Sequence, residues 1–128
     1  MQPAIRPATR ADLPSVLGLY AQPEFDDGAV LPLAGAEAIF ERMGRCLDYR
    51  LFVAELDERV IGTFALLIMP NLGHLGRPSG IVEDLVVAPD VQSRGIGRAM
   101  KVFAREECRK AGCYKLVMSS NERRVRAR

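Results

Sequence analysis

Two glycines set between two arginines, in Gln92-Ser93-Arg94-Gly95-Ile96-Gly97-Arg98, form the segment of this chain best equipped for chemistry. An apolar run precedes them and an amphipathic one follows, so the segment reads as a turn from a strand into a helix. The first turn of a helix leaves backbone N–H groups unpaired and carries the positive end of the helix dipole, which suits a phosphate. Gly95 and Gly97 lack the Cβ atoms that would hold an anion away from those amides, and Arg94 and Arg98 add cations at the rim. A ligand carrying a diphosphate is the natural guest. Two common phosphate motifs fit poorly. A nucleotide P-loop needs Gly-Lys followed by Ser or Thr, whereas Arg98 and Ala99 follow the second glycine. The dinucleotide fingerprint needs a third small residue where Met100 stands, and an acidic residue where Ser119, Ser120 and Asn121 stand.

The remaining chemistry-bearing residues narrow the setting. Cys46, Cys108 and Cys113 are odd in number and form neither Cys-x-x-Cys nor a Cys/His metal spacing, so no metal is expected and the thiols imply a reducing, cytoplasmic compartment. A net charge of +2 names no polyanionic partner. Arg123, Arg124, Arg126 and Arg128 lack interleaved aromatics or a recognition motif, so they read as the solvated start of a helix and no nucleic-acid partner is expected. Arg6, Arg10 and Asp12 stand where a signal peptide would need an apolar core, and no uncharged apolar stretch approaches bilayer-spanning length. Neither secretion nor a membrane partner is expected.

The elements that must position the glycine segment follow from periodicity. At 128 residues the chain fits one domain, residues 1–128, with no internal repeat. Residues 4–6 read as a strand, and Thr9 caps a helix running through Leu13, Val16, Leu17 and Tyr20. Residues 22–32 form a loop marked by Pro23, Asp26, Asp27, Gly28 and Pro32. A second helix, residues 36–47, carries Ile39, Phe40, Met43 and Leu47 on one face. Residues 50–56 and 60–69 are strands joined by a tight turn at Asp57-Glu58-Arg59. After a Gly/Pro-rich connection, residues 81–87 form a strand whose near-continuous apolar character implies burial on both faces, interrupted by Glu83 and Asp84. Ile96, Met100, Phe103, Ala104 and Cys108 recur at helical spacing up to Gly112, and residues 114–119 are a last strand. The order βααββ then βαβ gives an α/β domain built on a mixed central sheet flanked by helices.

The stretch IVEDLVVAPDVQSRGIGRAM, with its Val-x-Pro turn and Q-x-x-G-x-G, resembles the acetyl-coenzyme A signature of the Gcn5-related N-acetyltransferases. IRPATRADLPSVLGLY is similar to that family's opening strand and helix, ERVIGTFAL to its central hairpin strand, and AGCYKLVMSSN to the strand beside the cofactor. The resemblance implies acetyl-CoA as co-substrate, held by Leu85, Val86, Val87, Gln92, Ser93, Arg94, Gly95, Ile96, Gly97 and Arg98, with Asn121 on the pantetheine arm. It also implies that the strand at Leu85 to Val87 pairs with that arm, that a backbone N–H at Leu85 or Val86 serves the oxyanion, and that direct attack occurs in a ternary complex. Glu83, on that strand in an otherwise apolar segment, is then the catalytic base, and Asp84 is the weaker choice because a regular strand turns it to the other face. Asp26 and Asp27 in the early loop could neutralise an amine substrate, and His74 would lie beside the acceptor entrance. An Asp-Asp-Gly turn and a surface histidine remain open as the plain readings.

The family's tyrosine acid, final helix and closing strands have no counterpart before Arg128, so the expectation is a C-terminally truncated member with an exposed sheet edge that favours a homodimer. The activity expected is acetyl transfer to the primary amine of a small molecule. Its rival is a catalytically weak or inactive CoA-binding sensor or subunit.

Overall fold

The computed structural model describes residues 2–46 and 48–118. Five strands form one sheet in the order β1-β2-β3-β4-β5: β1 (Ala4–Pro7), β2 (Tyr49–Leu56), β3 (Arg59–Met69), β4 (Ser79–Val87) and β5 (Lys115–Met118). The first four are antiparallel, and β5 runs parallel to β4. The helices are α1 (Leu13–Tyr20), a single turn α2 (Pro23–Asp26), α3 (Leu33–Gly44) and α4 (Ile96–Ala111). The expected mixed α/β sheet is therefore present.

Alternation along the central strands builds a core on each face. Phe52, Phe64 and Leu66 pack with Ile96, Met100, Ala104 and Cys108 of α4, whereas Leu51, Val53 and Ala65 pack with Leu13 and Val16 of α1. Asp57 and Glu58 both take positive φ, 52° and 63°, which makes the expected tight turn between β2 and β3. Before α1 lies a 3-10 turn, Arg10–Asp12, tied down by Asp12. The Asp12 carboxylate accepts from the Thr9 backbone N–H at 2.7 Å and from both terminal nitrogens of Arg6 at 2.8 and 3.0 Å.

Three expectations need correction. The second helix begins at Leu33, where Pro32 supplies the extended N-cap residue, and it ends at Gly44; Leu47 lies outside the described residues. The expected loop at 22–32 contains the turn α2, started by Pro23, whose fixed φ suits a first helical position. β4 is not buried throughout: Val82 and Val86 are buried, but Asp84 is exposed and Glu83 half-buried. The cause is a bulge. Ala65 opposes Glu83 and Thr63 opposes Val86, so Phe64 alone faces both Asp84 and Leu85, and Asp84 takes a φ of 56°.

Candidate active site

The glycine turn forms where β4 hands over to α4. Gly95 takes a φ of 84° as the N-cap of α4, a conformation suited to a residue without Cβ, and no side chain caps the helix. The first intrahelical bond runs from the Ala99 N–H to the Gly95 carbonyl at 2.9 Å, so the amides of Ile96, Gly97 and Arg98 have no helical acceptor. They border a cavity of about 390 Å³ lined by Leu85, Val87, Gln92, Ser93, Gly95, Ile96, Gly97 and Arg98. A Cβ on Gly95 would meet nothing within 4 Å, and one on Gly97 would touch only Leu85 and Val87 at 3.8 Å. This concave patch of free amides, floored by two aliphatic side chains and rimmed by Arg98, fits a diphosphate with an extended organic arm.

β4 offers that arm an edge. β5 pairs with β4 only from Ser79 to Val82, so among the described residues the 83–87 segment has no strand on its side away from β3. The Val87 carbonyl accepts from Gln92 Nε2 at 3.1 Å and from Gln22 Nε2 at 2.9 Å. The Gln92 side chain thus braces the turn, and Gln22 joins it from the first loop, a role sequence spacing gave no sign of. Val86 is 8% exposed, so it has only its backbone to offer a ligand. Arg94 is exposed and does not line the cavity. Asn121 lies outside the described residues.

On the opposite face of the sheet, a second cavity of about 280 Å³ lies between α1, α3 and the bulge. Its polar lining is Tyr20, Tyr49, Asp26 and Asp84; the rest includes Leu13, Val16, Phe25, Phe40, Met43 and Leu51. Tyr20 stacks on Phe25 with ring centroids 4.7 Å apart. Burial, then the charge of Asp84, raises the pKa of both Tyr20 and Tyr49, so both phenols stay protonated and neutral across the working range.

The bulge changes the expected placement of the two acidic neighbours. A regular strand would turn Asp84 away from Glu83; instead Asp84 lines the second cavity, and Glu83 sits opposite Ala65, on the face where Ala65 also lines it. Glu83 makes no hydrogen bond or ion pair among the described residues, and its charge reaches Tyr49. Of the early-loop acids, Asp26 lines this cavity. Asp27 closes α2 in the left-handed conformation, φ 55°, and does not. His74 stacks on Tyr114 at 3.8 Å, at the end of β4 away from the glycine turn. The connection between β3 and β4 enters the sheet at Ser79, and neither His74 nor any other residue of that connection lines the second cavity. Tyr20 and Tyr49 are the lining residues that sequence reasoning missed: Tyr20 lies in an apolar run that reads as plain core, and Tyr49 stands between Asp48 and Arg50 just ahead of the expected strand. Among the described residues no group of three or more His, Cys, Asp or Glu is placed to hold a metal ion, and no helix is long and apolar enough to cross a membrane.

Comparison with known proteins matches residues 17–127 to the model of the acetyltransferase (GNAT) family. A glucosamine 6-phosphate N-acetyltransferase of Trypanosoma brucei brucei is 34% identical over 74 residues, covering 58% of this chain and 50% of that protein. The chain thus spans about half the length of the curated relative it matches. A protein of Agrobacterium tumefaciens strain C58 assigned as an acetyltransferase superposes with a TM-score of 0.84 at 30% identity, covering 94% of this chain and 83% of the other. A Trypanosoma brucei acetyltransferase superposes with a TM-score of 0.74 at 27% identity, covering 98% and 95% of the two chains.

Proposed function

The chain belongs to the acetyltransferase (GNAT) family, and from that premise we propose that it transfers an acetyl group from acetyl-CoA to the primary amine of a small molecule. The observation that carries the reading is the meeting of two cavities at one bulged strand. Leu85 and Val87 line the glycine cavity, and Asp84 between them and Glu83 lines the cavity on the other face. Acetyl-CoA, when bound, supplies a thioester whose carbonyl carbon is the electrophile.

The chain's own groups do the rest. The amides of Ile96, Gly97 and Arg98 hold the diphosphate, with Gly95 and Gly97 keeping its approach open. The unpaired edge of β4 aligns the pantetheine arm, and an N–H at Leu85 or Val86 donates to the carbonyl oxygen as charge gathers there. The amine enters from the Tyr20 and Asp84 side. Its nitrogen bonds to the carbonyl carbon, the carbon–sulfur bond breaks, and Glu83 takes the amine proton. The departing thiolate is tolerable near neutrality, since a thiol pKa is about 8.5, and it takes its proton from solvent. Three free thiols accord with a reducing, cytoplasmic setting. Homodimerisation belongs to the same proposal and is read by light scattering.

The test is thiol release from acetyl-CoA across a panel of primary amines, run beside a thermal shift with acetyl-CoA. Stabilisation with turnover of an amine supports the enzyme. Stabilisation without turnover on any amine favours the rival CoA-binding module, and no stabilisation sinks both.

A further inference from the structure

Within that acetyl-transfer reading, we propose that the acceptor is a primary amine on an uncharged, apolar body, and that phosphorylated amino sugars are excluded. The cavity on the α1/α3 face decides this. Its described lining contains two carboxylates, Asp26 and Asp84, and no lysine, arginine or histidine. Among the described lining residues, a phosphate placed there would face carboxylates and neutral phenols and meet no cation to offset its desolvation. A protonated amine meets the reverse situation. Asp84 projects from the bulge beside the reacting end of β4, where it can receive the ammonium group, and the stacked pair Tyr20 and Phe25 gives that cation an aromatic wall. The remaining walls, among them Leu13, Val16, Phe40 and Met43, are aliphatic or aromatic. They gain from an apolar body and offer few partners to the hydroxyls of a sugar. At about 280 Å³ the cavity holds a compact molecule, such as a short arylalkylamine. The proposal thus gives this chain an acceptor other than the one in the name of its trypanosomal relative, a glucosamine 6-phosphate N-acetyltransferase.

The full chain should acetylate 2-phenylethylamine with a kcat/KM at least tenfold above that for glucosamine 6-phosphate or glucosamine. Asp84→Asn keeps the shape and tolerates the left-handed backbone, so it should raise the KM for 2-phenylethylamine tenfold or more while leaving the acetyl-CoA thermal shift intact. Leu31→Arg places a cation at the half-exposed rim and should move preference toward glucosamine 6-phosphate. Calorimetric binding of 2-phenylethylamine that Asp84→Asn abolishes supports the inference even where turnover is slow. Equal or better use of glucosamine 6-phosphate overturns it while leaving acetyl transfer standing. Loss of acetyl-CoA binding by the wild-type chain overturns the reading beneath it.

Discussion

Gly97→Ala separates a glycine kept for the fold from one kept for a ligand, because the two roles predict opposite signs. Gly97 is the second residue of α4 and does not occupy the left-handed region. An added Cβ would sit 3.8 Å from Leu85 Cδ2 and Val87 Cγ2, ordinary van der Waals contact, so the unliganded protein loses nothing. Alanine is favoured over glycine in a helix interior by up to about 1 kcal/mol, and half of that is reasonable in a first turn. The free protein should gain about 0.5 kcal/mol, a rise of roughly 2 °C in Tm. The methyl group nevertheless fills part of the cavity in front of the Gly97 and Arg98 amides. A lost hydrogen bond to a charged group costs about 1.5–3 kcal/mol, so one lost amide contact weakens coenzyme A binding by roughly 10- to 150-fold. Calorimetric titration with coenzyme A and a melt of the free protein measure the two effects in one preparation. Gly95→Ala is the control: its φ of 84° makes any side chain strained, by about 1–2 kcal/mol, and should lower Tm without ligand. A Gly97→Ala protein with higher Tm and a Kd within twofold of wild type would refute the phosphate-cradle reasoning.

Other outcomes follow from single contacts. Glu83→Gln should lower kcat/KM at neutral pH, with partial recovery at higher pH as more of the amine is neutral, and leave coenzyme A affinity unchanged; an unaltered pH–rate profile removes Glu83 from the mechanism. Asp12→Ala severs the hold on Arg6 and Thr9 and should cost about 1–3 kcal/mol in urea denaturation. The Arg6 guanidinium, with the Thr9 N–H and hydroxyl helping, holds the Asp12 carboxyl down to about 2 from an ordinary 3.8. A lowered folded-state pKa stabilises above the ordinary value, so that contribution is complete above pH 3.8 and fades as pH falls through about 2. Asp12→Asn should flatten that part of the acid limb, and an identical limb in both proteins argues against the pairing. Gly80→Ala drives a methyl into the Cys108 thiol and should cost about 1–3 kcal/mol. Cys108→Ala removes the thiol and leaves the residue 108 Cβ at 3.7 Å and Leu116 Cδ1 at 3.3 Å, so the double variant should recover part of that loss in a double-mutant cycle.

The glycine turn was legible in the sequence because what marks it is a property of the backbone. Gly95 and Gly97 stand out for the Cβ they lack, and with six of the residues picked out around them they line one cavity. The sheet was legible for a similar local reason, since period-2 alternation in β2 and β3 sends Phe52 to one core and Leu51 and Val53 to the other. The lining of the second cavity was not. Tyr20 and Tyr49 lie 29 positions apart, one in an apolar run and one between Asp48 and Arg50, and only the packing of α1 over β3 and β4 brings them to Asp84. His74 is the converse case: its chemistry is plain in the sequence, but only the fold shows that it stacks on Tyr114 and does not line the second cavity.

The bulge at Asp84 explains why two acidic residues interrupt an apolar strand at that point. Leu85 and Val87 must face α4 to floor the glycine cavity. In a regular strand Glu83 would share their face, and its carboxylate would lie under α4 among Ile96 and Met100, a costly burial with no partner. One extra residue shifts the alternation. Asp84 then lines the cavity with Tyr20 and Tyr49, Glu83 sits opposite Ala65 on that same face, and Leu85 and Val87 keep the other. Asp is among the few residues apart from glycine that tolerate a φ of 56°, so the residue type that permits the bulge also supplies the charge at the cavity it opens. An alanine at position 84 would thus remove the cavity's carboxylate and strain the turn together, whereas asparagine removes only the charge. That difference makes asparagine the informative substitution at this position.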